Sequence, residues 1–331
     1  MAIRRMIGIA AAAALGTGLV LAAYSELRAR RIEAAYPPVG RFAEAAGVRL
    51  HYVDLLPDVP DGPEAPAIVF IHGASGNLRD PLLAFRGALE GRHRLVFVDR
   101  PGHGWSDRGG DPEIAAPARQ AEVIAALLKR IGVARAVVVG HSWGGSVAAA
   151  LALGHPELTA GLVFVAPATH PWPGGVAWYY KAAAQPLFGS LFARTLVMPI
   201  GSASLEQGLK GVFDPNPEPE GYVEKAAVPL LFRPREFIAN AEDVFRLNGY
   251  LELQAPRYGE IRVPTAILSG NRDSVVYEEL HSGGLARAIA GSHLIWLPNV
   301  GHMPHHAATD TVVAAIEEVA NLARGRALAM R

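Results

Sequence analysis

The chain has 331 residues, 31 basic against 31 acidic, and half of its side chains are hydrophobic. That is enough for one large α/β domain or for a core domain with an insertion, and a substantial buried core is expected rather than global disorder. Zero formal charge without a basic block in the folded part argues against a nucleic-acid surface. The absence of cysteine excludes disulfides, thiolate metal sites, iron–sulfur clusters and a cysteine nucleophile.

At the N-terminus, "MAIRRMIGIAAAAALGTGLVLAAYSELRARR" carries Arg4 and Arg5, an uncharged stretch from Met6 to Ser25, then Glu26 and further arginines. The stretch approaches the roughly 20 residues needed to cross a bilayer as a helix. No polar face runs from Ile7 to Ala23, so residues 1–35 are expected to anchor the chain in a membrane or to export it, with Val20 and Ala22 framing a small-residue cleavage site. Arg28, Arg30 and Arg31 balance Arg4 and Arg5, so charge sets no orientation.

After "YPPVG", the segment "RFAEAAGVRLHYVDL" reads as two short strands around a turn at Ala46–Gly47, and "DVPDGPEAP" as a loop. "AIVFIHG" has the continuous apolar run of a strand buried on both faces. A helix is expected around Leu82 to Leu89, followed by the strand "HRLVFVD" and the turn "RPGHGWSD". Helical spacing runs from Pro117 to Ile131. The strand "ARAVVVG" leads through "HSWGG" into a helix ending near Gly154, and "AGLVFVAPA" is a further buried strand. From Thr169 to about Leu253 the chain is aromatic, proline-rich and helical in period. Strand–helix alternation resumes with "VPTAILSGNRD", a helix from Glu278 to about Ile289, the strand "HLIWLPN", "VGHMPHH" and a last helix from Thr309 to about Arg324.

Repeated β–α units imply an α/β fold with a mostly parallel central sheet and helices on both faces. The expected division is an N-terminal segment 1–35, a core in two parts, 36–168 and 254–331, and an inserted, mainly helical cap at 169–253.

Within that frame Ser142 stands where a buried strand turns into a helix, with Gly140 and Gly144 two positions to either side. A helix N-cap serine would suit the same place. The strand–turn–helix context is what a nucleophile elbow requires, because glycines let strand and helix approach while the serine takes a strained conformation. A serine hydroxyl is a poor nucleophile without a base, an orienting acid and oxyanion donors. Asp273 in "GNRDSVV" and His302 in "VGHMPHH" each follow a strand of the same sheet, at the edge where open α/β sheets bind ligands. "VFIHGAS" places Ala74 after an earlier strand, so the N–H groups of Ala74 and Trp143 are the candidate oxyanion hole.

The segments "HGAS", "DRPGHGWS", "GHSWGG", "GNRDSVV" and "GHMPHH", in this order, give the chain from about Phe42 to Leu322 a resemblance to α/β-hydrolase-fold enzymes, as a serine esterase-like member with a helical cap. The resemblance implies a cofactor-free mechanism in which Ser142 attacks an acyl carbonyl, His302 relays its proton, Asp273 orients the imidazole and water releases the acyl group. It sets aside the dehalogenase-like and epoxide hydrolase-like relatives, which carry aspartate at the nucleophile position. Proline iminopeptidase-like relatives usually have a fuller glycine-proline motif where "ASGN" stands here. Serine perhydrolases and carbon–carbon bond hydrolases use the same triad and stay open, as does a low-turnover binding protein on this scaffold.

The other polar residues are read conservatively. His302, His305 and His306 are not taken as a metal site, since no carboxylate is spaced beside them to complete a ligand set. Asp99 is a competitor for the triad acid, ranked below Asp273 because the resemblance gives it a turn-shaping role. Glu242 and Asp243 are assigned to a solvated face of the cap. Most cap aromatics should pack the cap on the core, and the rest line an apolar pocket. The expected partner is an apolar small-molecule ester, with no cofactor, no metal and no nucleic acid.

Overall fold

The computed structural model of the chain describes residues 2–59, 65–186 and 188–329, so most of the loop "DVPDGPEAP" lies outside the described residues. Eight strands form one sheet: β1 (Arg41–Ala45), β2 (Val48–Leu55), β3 (Ala67–Ile71), β4 (Leu95–Val98), β5 (Ala136–His141), β6 (Thr159–Val165), β7 (Thr265–Gly270) and β8 (His293–Leu297), in the order β1-β2-β4-β3-β5-β6-β7-β8. The β1–β2 hairpin turns at Ala46 and Gly47, both at positive φ, and pairs antiparallel with β4. All other neighbours are parallel.

Alternation along the central strands explains their unbroken apolar sequences. Val69 and Ile71 of β3, with Val138 of β5, pack under the helices Pro117–Arg130 and Trp143–Gly154. Ile68, Phe70, Val137 and Val139 face the opposite side, against the helices Arg79–Leu89 and Thr309–Ala329. A strand covered on both sides has no polar positions to spare. The chain proceeds from β3 to β4 on one side and then returns to place β5 on the other. This reversal opens a crevice beyond the carboxyl ends of β3 and β5.

Between β6 and β7 lies the helical cap. Its helices Trp178–Ala183, Phe188–Phe192 and Met198–Phe213 lead to the long helix Pro234–Gln254. A π-turn at Ala193–Val197 joins the second and third of these. Pro199 follows it, lacking an N–H and crowding the carbonyl four residues earlier, which accounts for the widened turn. The N-terminal segment is one helix, Ala2–Ala35, longer than its uncharged stretch. It is long and apolar enough to cross a membrane.

Candidate active site

Ser142 directly follows β5 and caps the helix Trp143–Gly154 with φ 50° and ψ −120°, a conformation side chains rarely adopt. Its N–H donates to the Val165 carbonyl at 3.0 Å, and its own carbonyl accepts from Gly145 and Ala168. The two flanking glycines are there for close approach. A Cβ on Gly140 would lie 2.6 Å from the Gly144 carbonyl oxygen, and one on Gly144 would lie 2.3 Å from that of Ile71. Backbone packing thus leaves Ser142 little choice of direction, and Oγ points to the loop after β8.

There His302 Nε2 stands 2.9 Å from Ser142 Oγ, and His302 Nδ1 stands 2.7 Å from Asp273 Oδ2. Asp273 Oδ1 accepts the N–H groups of Val275 (2.8 Å) and Val276 (3.0 Å), which fixes the carboxylate. With Asp273 ionised, Nδ1–H donates to it, so Nε2 offers its lone pair to the serine hydroxyl. His141 Nε2 donates to the His302 carbonyl at 3.0 Å and holds the loop. Burial pushes the His141 pKa well below the usual value, so this ring is neutral.

Ala74 and Ser142 both line the cavity at the end of β3. The Gly73 α-carbon passes so close that an added Cβ would sit 3.1 Å from Ser142 Cβ. Trp143 supplies the first amide of its helix, which has no partner within the helix. The His72–Gly73 backbone is held by Arg100, which donates to both carbonyls (3.1 and 3.2 Å). Asn240 of the cap accepts the Ser75 amide at 2.7 Å.

Asp243 corrects the sequence reading. It is not on a solvated face but fully buried, paired with Arg100 at 2.6 Å and Arg108 at 2.7 Å, and it accepts from Gln120 at 3.0 Å. Burial lowers the Arg100 pKa and Asp243 opposes that shift. The Arg100 guanidinium also lies 4.2 Å over the Trp143 ring. Glu242 is partly exposed and pairs with Arg108. Sequence reasoning passed over Asn240 and assigned Asp243 to solvent, although a signal existed. Glu236, Asn240 and Asp243 fall at i, i+4 and i+7, and all three are buried.

Asp99 stays away from His302. Its carboxylate accepts from Leu78, Trp105 and His51 and shapes the turn. His305 and His306 do meet a carboxylate, but a distant one. Asp80 accepts from His305 at 3.0 Å, His306 at 2.8 Å and the Tyr222 hydroxyl at 2.8 Å. One ligand atom from each of Asp80, His305 and His306 lies within 4.8 Å of the others, so these three could hold an ion. Three hydrogen-bond donors on one carboxylate account for the same geometry. Burial would raise the Asp80 pKa, but the two histidines outweigh it and hold the carboxyl well below its usual range.

Above Ser142 is a cavity of about 410 Å³ between core and cap. Phe192, Leu209, Val212, Phe213, Val228 and Phe232 are among its walls, and no Arg or Lys lines it among the described residues.

Sheet order, strained serine turn and inserted cap together define an α/β hydrolase. The sequence model of the alpha/beta hydrolase family matches residues 68–315, and the chain belongs to that family. It is 35% identical over 129 residues to the dihydrolipoyllysine-residue acetyltransferase component of the acetoin cleaving system from Cupriavidus necator, spanning 38% of this chain but only 32% of that relative. It is 27% identical over 268 residues to a 2-hydroxy-6-oxononadienedioate/2-hydroxy-6-oxononatrienedioate hydrolase from Burkholderia vietnamiensis, covering 76% and 81% of the two chains. A thermophilic esterase from Thermogutta terrifontis superposes with a TM-score of 0.66 over 86% of this chain and 100% of that one, at 20% identity, a likeness of fold.

Proposed function

We propose that this chain is a serine hydrolase that cleaves carboxylic esters of apolar small molecules. The carrying observation is the line Asp273–His302–Ser142, at 2.7 and 2.9 Å, beneath a mainly apolar cavity. Ser142 Oγ attacks the ester carbonyl carbon while its proton passes to His302 Nε2. Asp273 stabilises the imidazolium, and the N–H groups of Ala74 and Trp143 receive the oxyanion. The C–O bond to the alcohol breaks, and the leaving oxygen takes the proton from Nε2. A water molecule, deprotonated by His302, then releases the acid and restores Ser142.

In this reading residues 36–168 and 254–331 form the catalytic body and 169–253 the substrate-binding cap. Residues 1–35 hold the protein to a bilayer. A serine-based carbon–carbon hydrolase would use the same triad, and the relative from Burkholderia vietnamiensis is named as a hydrolase of a dioate. Arg or Lys on the wall would favour a dioate substrate, and neither lines it among the described residues, which supports an uncharged ester instead.

The test is hydrolysis of p-nitrophenyl esters from acetyl to long acyl, with Ser142→Ala beside the unaltered chain. Turnover that varies with chain length and vanishes in the variant supports the esterase. Turnover that survives Ser142→Ala removes it.

A further inference from the structure

The cap exposes large apolar side chains around the cavity. Trp178 leaves 69% of its surface open, Leu191 60% and Ile200 52%, with Phe188 and Leu196 also exposed. Trp178, Tyr179, Leu196 and Ile200 at the same time line the cavity above Ser142, so they form its mouth. An apolar rim of this kind on a soluble surface marks an interaction site.

The N-terminal helix is fastened to this same part of the cap. Ala29 and Ile32 pack among Phe192, Ala193, Val197 and Met198. Glu33 pairs with Arg233 at 3.2 Å and Arg235 at 3.4 Å, and Trp105 Nε1 donates to the Tyr36 carbonyl at 3.0 Å. Its first half, from Ile3 to Val20, leaves Ile3, Ile7, Leu15 and Leu19 exposed. That half is about 27 Å long at helical rise, against roughly 30 Å of bilayer hydrocarbon. One cap segment, Phe188 to Phe213, therefore holds the root of the apolar helix and carries part of the cavity mouth.

We propose that the cap face around Trp178, Leu191, Leu196 and Ile200 rests in the bilayer that the N-terminal helix enters, and that the cavity mouth opens onto lipid. Substrate then reaches Ser142 from the membrane phase, as an ester with an acyl or alkyl chain dissolved among the lipid tails. This deepens the proposed ester hydrolysis and bilayer attachment and rests on both. A bilayer fits the face better than a second copy of the chain does. The packed helix root sets the face beside the membrane, and Trp178 and Tyr179 are ring types favoured at the headgroup level. Lys181 and Arg194, exposed on the same segments, supply positive charge for lipid phosphates.

A chain without cysteine takes one label at each introduced thiol. The full chain would be placed in phosphatidylcholine vesicles with a nitroxide at Leu191→Cys, Ile200→Cys or, on the exposed side of the helix Pro117–Arg130, Lys129→Cys. The expected result is that dissolved oxygen reaches the first two labels better than a water-soluble nickel complex does, with the opposite order at the third. Water-like accessibility at both cap labels overturns the proposal, as does a chain that stays off the vesicles. Dipolar coupling between Leu191→Cys labels of two chains overturns it too, by assigning the face to a second copy. In parallel, Leu191→Glu, outside the cavity wall, should lower turnover of a long-chain ester carried in the vesicles by about tenfold. Turnover of a short water-soluble ester should stay within about twofold, since the triad is untouched. Equal turnover of the vesicle-borne ester overturns the proposal. If the unaltered chain cleaves neither ester, ester hydrolysis fails while the label depths still report where the cap lies.

Discussion

Asn240, on the long cap helix, accepts the Ser75 amide through Oδ1 at 2.7 Å and donates from Nδ2 to Ser75 Oγ at 3.1 Å. A cap side chain thus steadies the loop whose preceding residue, Ala74, presents one proposed oxyanion donor. Asn240→Ala should lower kcat by about tenfold with a smaller change in KM. Asn240→Asp, which keeps the acceptor, should recover part of it. Steady-state kinetics on p-nitrophenyl acetate measure this, and an unchanged kcat in Asn240→Ala would free the loop from the cap.

Asp243→Ala leaves Arg100 buried without its carboxylate. The expected loss of stability is about 3–5 kcal/mol, the usual range when one member of a buried ion pair is removed. Urea unfolding measures it. A loss below about 1 kcal/mol would place Asp243 among surface pairs instead.

Acid should unfold the protein by a route set by neutral buried histidines. Burial holds His72, His103 and His141 well below the usual imidazole value and brings His170 and His281 to about 4. Each is a base with a folded pKa below its unfolded value near 6.5. Between the two values the unfolded chain binds the extra proton, so stability falls as pH is lowered. His281 Nδ1 accepts the amides of Thr169 (3.1 Å) and His170 (3.0 Å), and protonating it breaks both bonds. Tm should hold steady above about pH 7 and fall between about pH 6.5 and 4. Calorimetry should find a shallower fall in His281→Gln.

Gly144→Ala places a methyl 2.3 Å from the Ile71 carbonyl and 2.6 Å from that of His72. Helix and strand must separate, at a cost of about 1–3 kcal/mol or more. Labelling of Ser142 by a fluorophosphonate should slow by about tenfold, because Oγ moves relative to His302. Labelling at the unaltered rate would show that the turn tolerates a side chain there.

The strands and the Ser142 turn are legible because their signals are local. An apolar run of five or six residues has one stable fate inside a sheet, and glycine at fixed offsets from a serine states how tightly the chain must turn. Asp273 and His302 are legible for the same reason, each a few residues past a strand of that sheet. Asp243 was misread because its partner Arg100 is 143 residues away. Charge on a long helix otherwise means solvent, and only the spacing of Glu236, Asn240 and Asp243 hints otherwise. Asp80 is 225 residues from His305, so spacing around the histidines could not announce it. The packing of Ala29 and Ile32 on the cap is equally non-local, since small apolar residues on a helix do not say which surface they meet.

The cap leaves the sheet at the end of β6 and returns to begin β7, and these two strands are hydrogen-bonded neighbours. Because β6 and β7 run parallel, the chain departs at the carboxyl edge of the sheet and must come back to its amino edge, so the long helix Pro234–Gln254 that closes the insertion also begins the return crossing. Evolution could exchange or lengthen such a piece without shifting the register of any strand beneath. On the proposed reading, the reacting groups and the groups that select what reacts are thus carried on separately revisable stretches of one gene product.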